Sequence, residues 1–133
     1  MRSLKILTFA ILTILIFVPF ANAKNNEPVA ISSDRDMIIE NLLIGLQSNN
    51  LGLRTSSAYI LGELNTTKAV IPLLRILHQS DVESERIMAA ISLYKIGTGI
   101  SIFALKQSGR LDNSERVRKV CTYLYKDYVL NHQ

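Results

Sequence analysis

With 133 residues, 48% of them apolar and 20% charged, the chain has material for one compact domain and is too hydrophobic to be disordered throughout. Its formal charge of +4 falls to +2 once Arg2 and Lys5 of the N-terminal segment are set aside, so no basic stripe argues for nucleic acid. Cys121 is the one cysteine, which rules out an internal disulfide in any compartment, and its neighbours Val120 and Leu124 point to a buried, inert thiol.

The first element is a leader. Met1 to Lys5 is short and positive, Ile6 to Phe20 is uncharged and apolar, and Pro19 sits near its end. Ala21-Asn22-Ala23 then supplies the small-x-small pattern that a signal peptidase cuts. These features predict a signal peptide over residues 1–23, a mature chain that begins at Lys24, and export to a periplasm or to the exterior. The apolar run of about fifteen residues falls short of the roughly twenty that span a bilayer, so no stable membrane insertion is expected after cleavage.

Residues 24–35 are polar and contain Pro28, which predicts a flexible lead-in to a helical domain over 36–133. Ile38, Ile39, Leu42, Leu43 and Leu46 follow the spacing of one apolar helical stripe. Ser48 to Gly52 carries turn chemistry, and a second helix is expected from Leu53 to Leu64 with Ala58, Leu61 and Leu64 inward. Asn65-Thr66-Thr67 breaks it. Val70 to Leu77 follows, with Pro72 in its first turn, where a missing N–H costs nothing. No segment alternates with period two, so the expected class is all-α.

These helices repeat. Arg54 is followed by Ala58, Leu61 and Leu64, and Arg86 is followed by Ala90, Leu93 and Ile96 at the same spacings. Ser84-Glu85-Arg86 returns as Ser114-Glu115-Arg116 after nearly the same interval, followed by Val120 and Leu124. A matching first helix precedes each: Ile38 to Leu46, Val70 to Leu77, and a shorter one from Ile100 to Leu105. The expected architecture is a short α-solenoid of about three antiparallel helix pairs.

Arg54-Thr55-Ser56-Ser57-Ala58-Tyr59-Ile60-Leu61-Gly62-Glu63-Leu64 resembles the second helix of a HEAT-like repeat, of the short-period kind associated with bilin lyases. Arg86 to Gly97 resembles it again, and Thr67 to Leu74 resembles the start of the family's first helix. The likeness covers about Met37 to Asp127 and is strongest in two units. The family's turn acid corresponds to Asp81 and Asp112, Asn50 stands in its place in the first unit, and Lys119 replaces a small residue in the third. Ankyrin and tetratricopeptide repeats share the period, but their motifs are an incomplete echo here or absent.

No catalytic, cofactor or metal constellation stands out. His78 and His132 lack partners in the sequence, and Asp81, Glu83 and Glu85 precede a helix, where acids complement the positive end of the dipole. Arg54, Arg86 and Arg116 form the most informative polar series. As a binding ladder they would meet an anionic partner; the resemblance implies instead that such arginines bridge to turn acids, here Asp81 and Asp112, and hold the stack in register.

A helical wheel turns Ser56, Tyr59, Ile60 and Glu63 outward, with Met88, Ile91, Ser92 and Lys95 as their counterparts, then Arg118, Cys121, Thr122 and Tyr125. Within this row Tyr59, Glu63, Met88, Ile91, Lys95, Arg118 and Tyr125 are the expected partner-binding face, with burial of the row by neighbouring helices as the alternative. The expected function is that of a non-enzymatic exported scaffold or protein-interaction module without a cofactor. Its partner is another protein, not nucleic acid, and end-to-end self-stacking is a further arrangement open to such repeats. The bilin-lyase resemblance implies an alternative, a lyase or enzyme-assisting subunit.

Overall fold

The computed structural model describes residues 27–132, with side chains from Ser33 onward, so the leader and its cleavage site lie outside the described residues. Six α-helices and one short 3₁₀ turn make up the described chain, and no strand occurs among the described residues. The helices are α1 (Glu27–Gly45), α2 (Leu51–Glu63), α3 (Val70–Gln79), α4 (Glu83–Ile96), α5 (Gly99–Leu111) and α6 (Glu115–Asn131), and the 3₁₀ turn Thr67–Ala69 leads into α3. The chain divides into two compact units between Asp36 and Met37, and all packing below belongs to the second, Met37–Gln133.

Cap chemistry sets the helix starts. Asn50 accepts the Leu53 N–H at 3.1 Å, Thr98 accepts that of Ser101 at 3.3 Å, and Ser114 accepts that of Val117 at 3.3 Å. Val82, which starts α4, has no such oxygen, and Ser80 substitutes from outside by accepting the Val82 N–H at 3.1 Å. Helix α4 stops at Gly97, whose φ of 64° is left-handed and comfortable for glycine.

Packing follows from short connections. Helix α3 lies against α4, and α5 against α6, each pair joined by a turn of a few residues that reverses the chain. The second helices of successive pairs also touch, α2 on α4 and α4 on α6. Leu61, Leu93 and Val117 on these second helices, and Leu73, Leu77 and Leu105 on α3 and α5, are fully buried. Ala58, Ala90, Leu93 and Ile96 are buried as the spacing predicts, and Leu64 is half-buried at the edge.

Three sequence expectations change. The described residues 27–35 are helical, as part of α1, rather than a loose lead-in. The first helix of the third pair is not short: α5 runs to Leu111 because Thr98 caps it early and small residues such as Ser101, Ala104 and Ser108 continue its buried face. The third pair also falls in a different register. Ser114 is the cap of α6, whereas Ser84 lies inside α4, so the repeated Ser-Glu-Arg tripeptide is offset by two positions. Aligned by caps, Asn50, Val82 and Ser114 recur at one constant interval, and Arg54, Arg86 and Arg118 each stand four positions after their cap.

Candidate functional site: an arginine ladder and an outward row

Each arginine of that corrected series begins by holding its own turn. The Nη1 of Arg54 donates to the Ser48 carbonyl, that of Arg86 to the Ser80 carbonyl, and that of Arg118 to the Asp112 carbonyl, each at 2.7 Å. The carbonyl lies six positions before the arginine in every case, where the chain leaves one helix and turns into the next. One local contact therefore recurs three times.

The far edge of the guanidinium then reaches forward to the following pair. Arg54 Nε donates to Glu85, and Arg86 forms a two-pronged contact with Asp112, Nε to Oδ2 at 3.1 Å and Nη2 to Oδ1 at 3.2 Å. Both acids are shielded, with side chains 8% exposed. Each has further donors that offset the cost of burying its charge: Glu85 accepts from the Ser80 hydroxyl, and Asp112 accepts the Ser114 N–H at 2.8 Å. Asp112 is the node of the ladder, since its carboxylate takes Arg86 and its carbonyl takes Arg118.

Arg116 and Asp81 are not in the ladder. The Arg116 side chain is 76% exposed and, among the described residues, reaches Glu83 at 3.5 Å. Asp81 is exposed and contributes to the wall of a cleft of about 290 Å³ beside Arg86 and Asp112. The rung on Arg54 is filled instead by Glu85, which sequence reasoning assigned to the helix dipole. The signal that identifies the true series is the constant cap-to-arginine spacing, which the tripeptide match obscures.

The outward row is partly assembled. Tyr59 is 45% exposed on α2, and Glu63, one turn on, pairs with Lys95 of α4. The Lys95 ammonium lies 4.8 Å from the centroid of the Tyr59 ring. The hydrogen bond to Glu63 holds the Tyr59 phenol above its ordinary pKa, while the Lys95 contact holds the Glu63 carboxyl low and Glu63 in turn raises Lys95. Ile91 and Lys95, and Met88 and Ile91, share one face of α4, with Met88 and Ile91 half-buried.

Other members of the row turn inward. Ser92 is fully buried and donates to the Ala58 carbonyl at 2.8 Å, so it fastens α4 to α2 rather than facing a partner. Cys121 is fully buried, and burial, then the nearby Asp112 charge, pushes its thiol up to about 12. Thr122 donates to the Gly109 carbonyl at 3.2 Å, and half-buried Tyr125 has Lys106 5.7 Å from its ring centroid. Arg118 belongs to the ladder.

His78 is exposed at the end of α3, and His132 stacks on Tyr128 at 4.1 Å. Among the described residues no group of three His, Cys, Asp or Glu side chains could hold a metal ion, and no helix is long and apolar enough to cross a membrane. Compared with known proteins, the chain matches no family model, and no curated protein matches it.

Proposed function

We propose that the chain is a short α-solenoid of about three HEAT-like helix pairs, exported and non-enzymatic, that binds another protein. The observation that carries this reading is the triple recurrence of the arginine–carbonyl contact at Arg54, Arg86 and Arg118, since a stack of equivalent pairs repeats its fastenings as well as its core. The Tyr59–Glu63–Lys95 set, with Tyr59 and Glu63 exposed and Lys95 half-buried, supports a protein surface, because an aromatic ring beside paired charges offers both contact area and orientation. In this reading the face comprises Tyr59, Glu63, Met88, Ile91 and Lys95.

A photoreactive residue at Tyr59 or Ile91 should cross-link one common partner in the cell envelope, while the same residue at exposed Arg75 should not. Equal adducts from all three positions would refute the face. Turnover of a substrate, abolished by a point change that leaves the fold intact, would refute the non-enzymatic assignment. Export is tested by intact mass: the exported chain should begin at Lys24, and a retained leader would point to membrane anchoring instead.

A further inference from the structure

The ladder has an open rung. Arg118 holds the Asp112 carbonyl at 2.7 Å and the Asn113 carbonyl at 3.2 Å, both through Nη1. No carboxylate meets its other edge among the described residues, whereas the same edge of Arg54 takes Glu85 and that of Arg86 takes Asp112. The guanidinium is therefore already oriented by backbone, with its forked side unfilled.

Arg118 also lines a cleft of about 430 Å³, together with Gly109, Thr122, Tyr123, Lys126 and the Glu115–Lys119 ion pair. Its position is informative. Arg118, Lys119 and Thr122 are the counterparts, two repeats on, of Arg54, Thr55 and Ala58, and those three surround the filled first rung together with Ile76 and Glu85 of the next helix pair. The open cleft thus corresponds to a seat that, at the first rung, holds one carboxylate and one aliphatic side chain.

We infer that the Arg118 cleft is a docking seat for an acidic segment of another protein, with a glutamate or aspartate on the open edge of Arg118 and an aliphatic neighbour beside Thr122. Charge supports the choice of occupant. Between Gly99 and Asn131, Lys106, Arg110, Arg116, Arg118, Lys119 and Lys126 outnumber Asp112, Glu115 and Asp127, and Asp112 is already engaged by Arg86. A second copy stacked in the same register fits less well: the counterparts of Glu85 and Asp112 in its first pair are Leu53 and Ser48, neither of them an acid. The protein nature of the occupant rests on the interaction reading above, and the seat itself rests on the ladder.

The test titrates the full chain with fluorescein-labelled hexaglutamate by anisotropy, at about 50 mM salt so that screening is weak. Saturable binding is expected, weakened about tenfold or more by Arg118→Gln and several-fold by Arg118→Lys, which keeps the charge but loses the fork. Arg116→Gln, a change at an exposed cation on the same helix, should shift it less than about twofold. Thr122→Glu provides a second route should Arg118→Gln unfold: it fills the seat with an internal carboxylate and should abolish binding while Arg118 remains.

Equal losses from the Arg116 and Arg118 variants, no binding up to about 5 mM peptide, or tighter binding of a hexauridylate that also depends on Arg118 would each overturn the proposal. Its failure is separable from that of the interaction reading, because cross-links at Tyr59 do not depend on Arg118.

Discussion

Helix α4 meets α2 through small residues and α6 through rings. Toward α2, a Cβ added at Gly62 would lie 2.8 Å from the Ser92 Cα, and the Ser92 hydroxyl crosses to the Ala58 carbonyl. Toward α6, Tyr94 stands edge-on to Tyr128 with centroids 6.4 Å apart, Tyr94 donates to Asp127, and Tyr128 donates to the Gly97 carbonyl at 3.1 Å. The Asp127 contact holds the Tyr94 phenol above its ordinary pKa. Yet each junction carries the same clamp, an arginine tied to its own turn and to an acid of the next pair. The polar ladder repeats at a fixed interval, while the material between the helices changes from nearly nothing to two tyrosines. Register and spacing are therefore controlled by different residues.

The comparison breaks most directly at Arg86. Removing it leaves Asp112, 8% exposed, with a backbone N–H as its remaining donor, so Arg86→Ala should cost about 3 kcal/mol in a urea melt. Arg54→Ala should cost less, about 2 kcal/mol, because Arg54 is more exposed and Glu85 keeps the Ser80 hydroxyl. Arg116→Ala, an exposed control, should stay within about 0.5 kcal/mol. If all three variants melt together with wild type, the ladder is a surface feature and holds no register.

Gly62→Ala tests the small-residue junction. Glycine to alanine inside a helix ordinarily gains up to about 1 kcal/mol, so a loss would have to come from tertiary crowding. The Ser92 backbone at 2.8 Å does not retreat as a flexible side chain would, and the expected loss is about 2 kcal/mol. A stabilised variant would mean that α2 and α4 slide apart at little cost.

Much of this was legible in the sequence. The all-helical class and the buried Ala58, Leu61, Ala90 and Leu93 follow from apolar spacing, whereas for Arg86 the sequence leaves Asp81 and Asp112 both open and the structure pairs it with Asp112. What misled was local identity: Ser114-Glu115-Arg116 copies Ser84-Glu85-Arg86 in letters, but one serine caps a helix and the other sits inside one. Ser92 was also hard to place, because a helical wheel considers one neighbouring helix and each second helix has two, whereas the apolar neighbours of Cys121 already pointed to its burial. Small residues that look solvent-compatible on the wheel are then the ones that permit the closest approach.

At the aromatic junction the effect should be smaller. Tyr128→Phe keeps the ring against Tyr94 and removes only the hydroxyl that donates to Gly97, so about 1 kcal/mol should be lost. A loss as large as that of Gly62→Ala would show that the hydroxyl sets the end of α4 rather than finishing it.

The smallest effect, with the opposite sign, belongs to Ser57. Ser57, Ala89 and Cys121 occupy one ladder position, three places after Arg54, Arg86 and Arg118, and all are buried. Of these, Ser57 brings a hydroxyl that is buried without a hydrogen-bond partner and faces Gly45, where an added Cβ would fall 2.3 Å from its oxygen. A buried, unpaired hydroxyl has lost its water and gained nothing in return. Ser57→Ala removes that oxygen, reproduces the residue found at position 89, and leaves a void of about one atom that costs little. The expected outcome is unchanged or improved stability, by up to about 1 kcal/mol, with an unaltered urea slope. Gly45→Ala should do the reverse, since its methyl group would meet the hydroxyl, and Gly45→Ala combined with Ser57→Ala should recover part of the loss. Destabilisation by Ser57→Ala alone, beyond about 0.5 kcal/mol, would mean that the hydroxyl is satisfied in solution. The first junction would then hold a polar fastening that the other two positions lack.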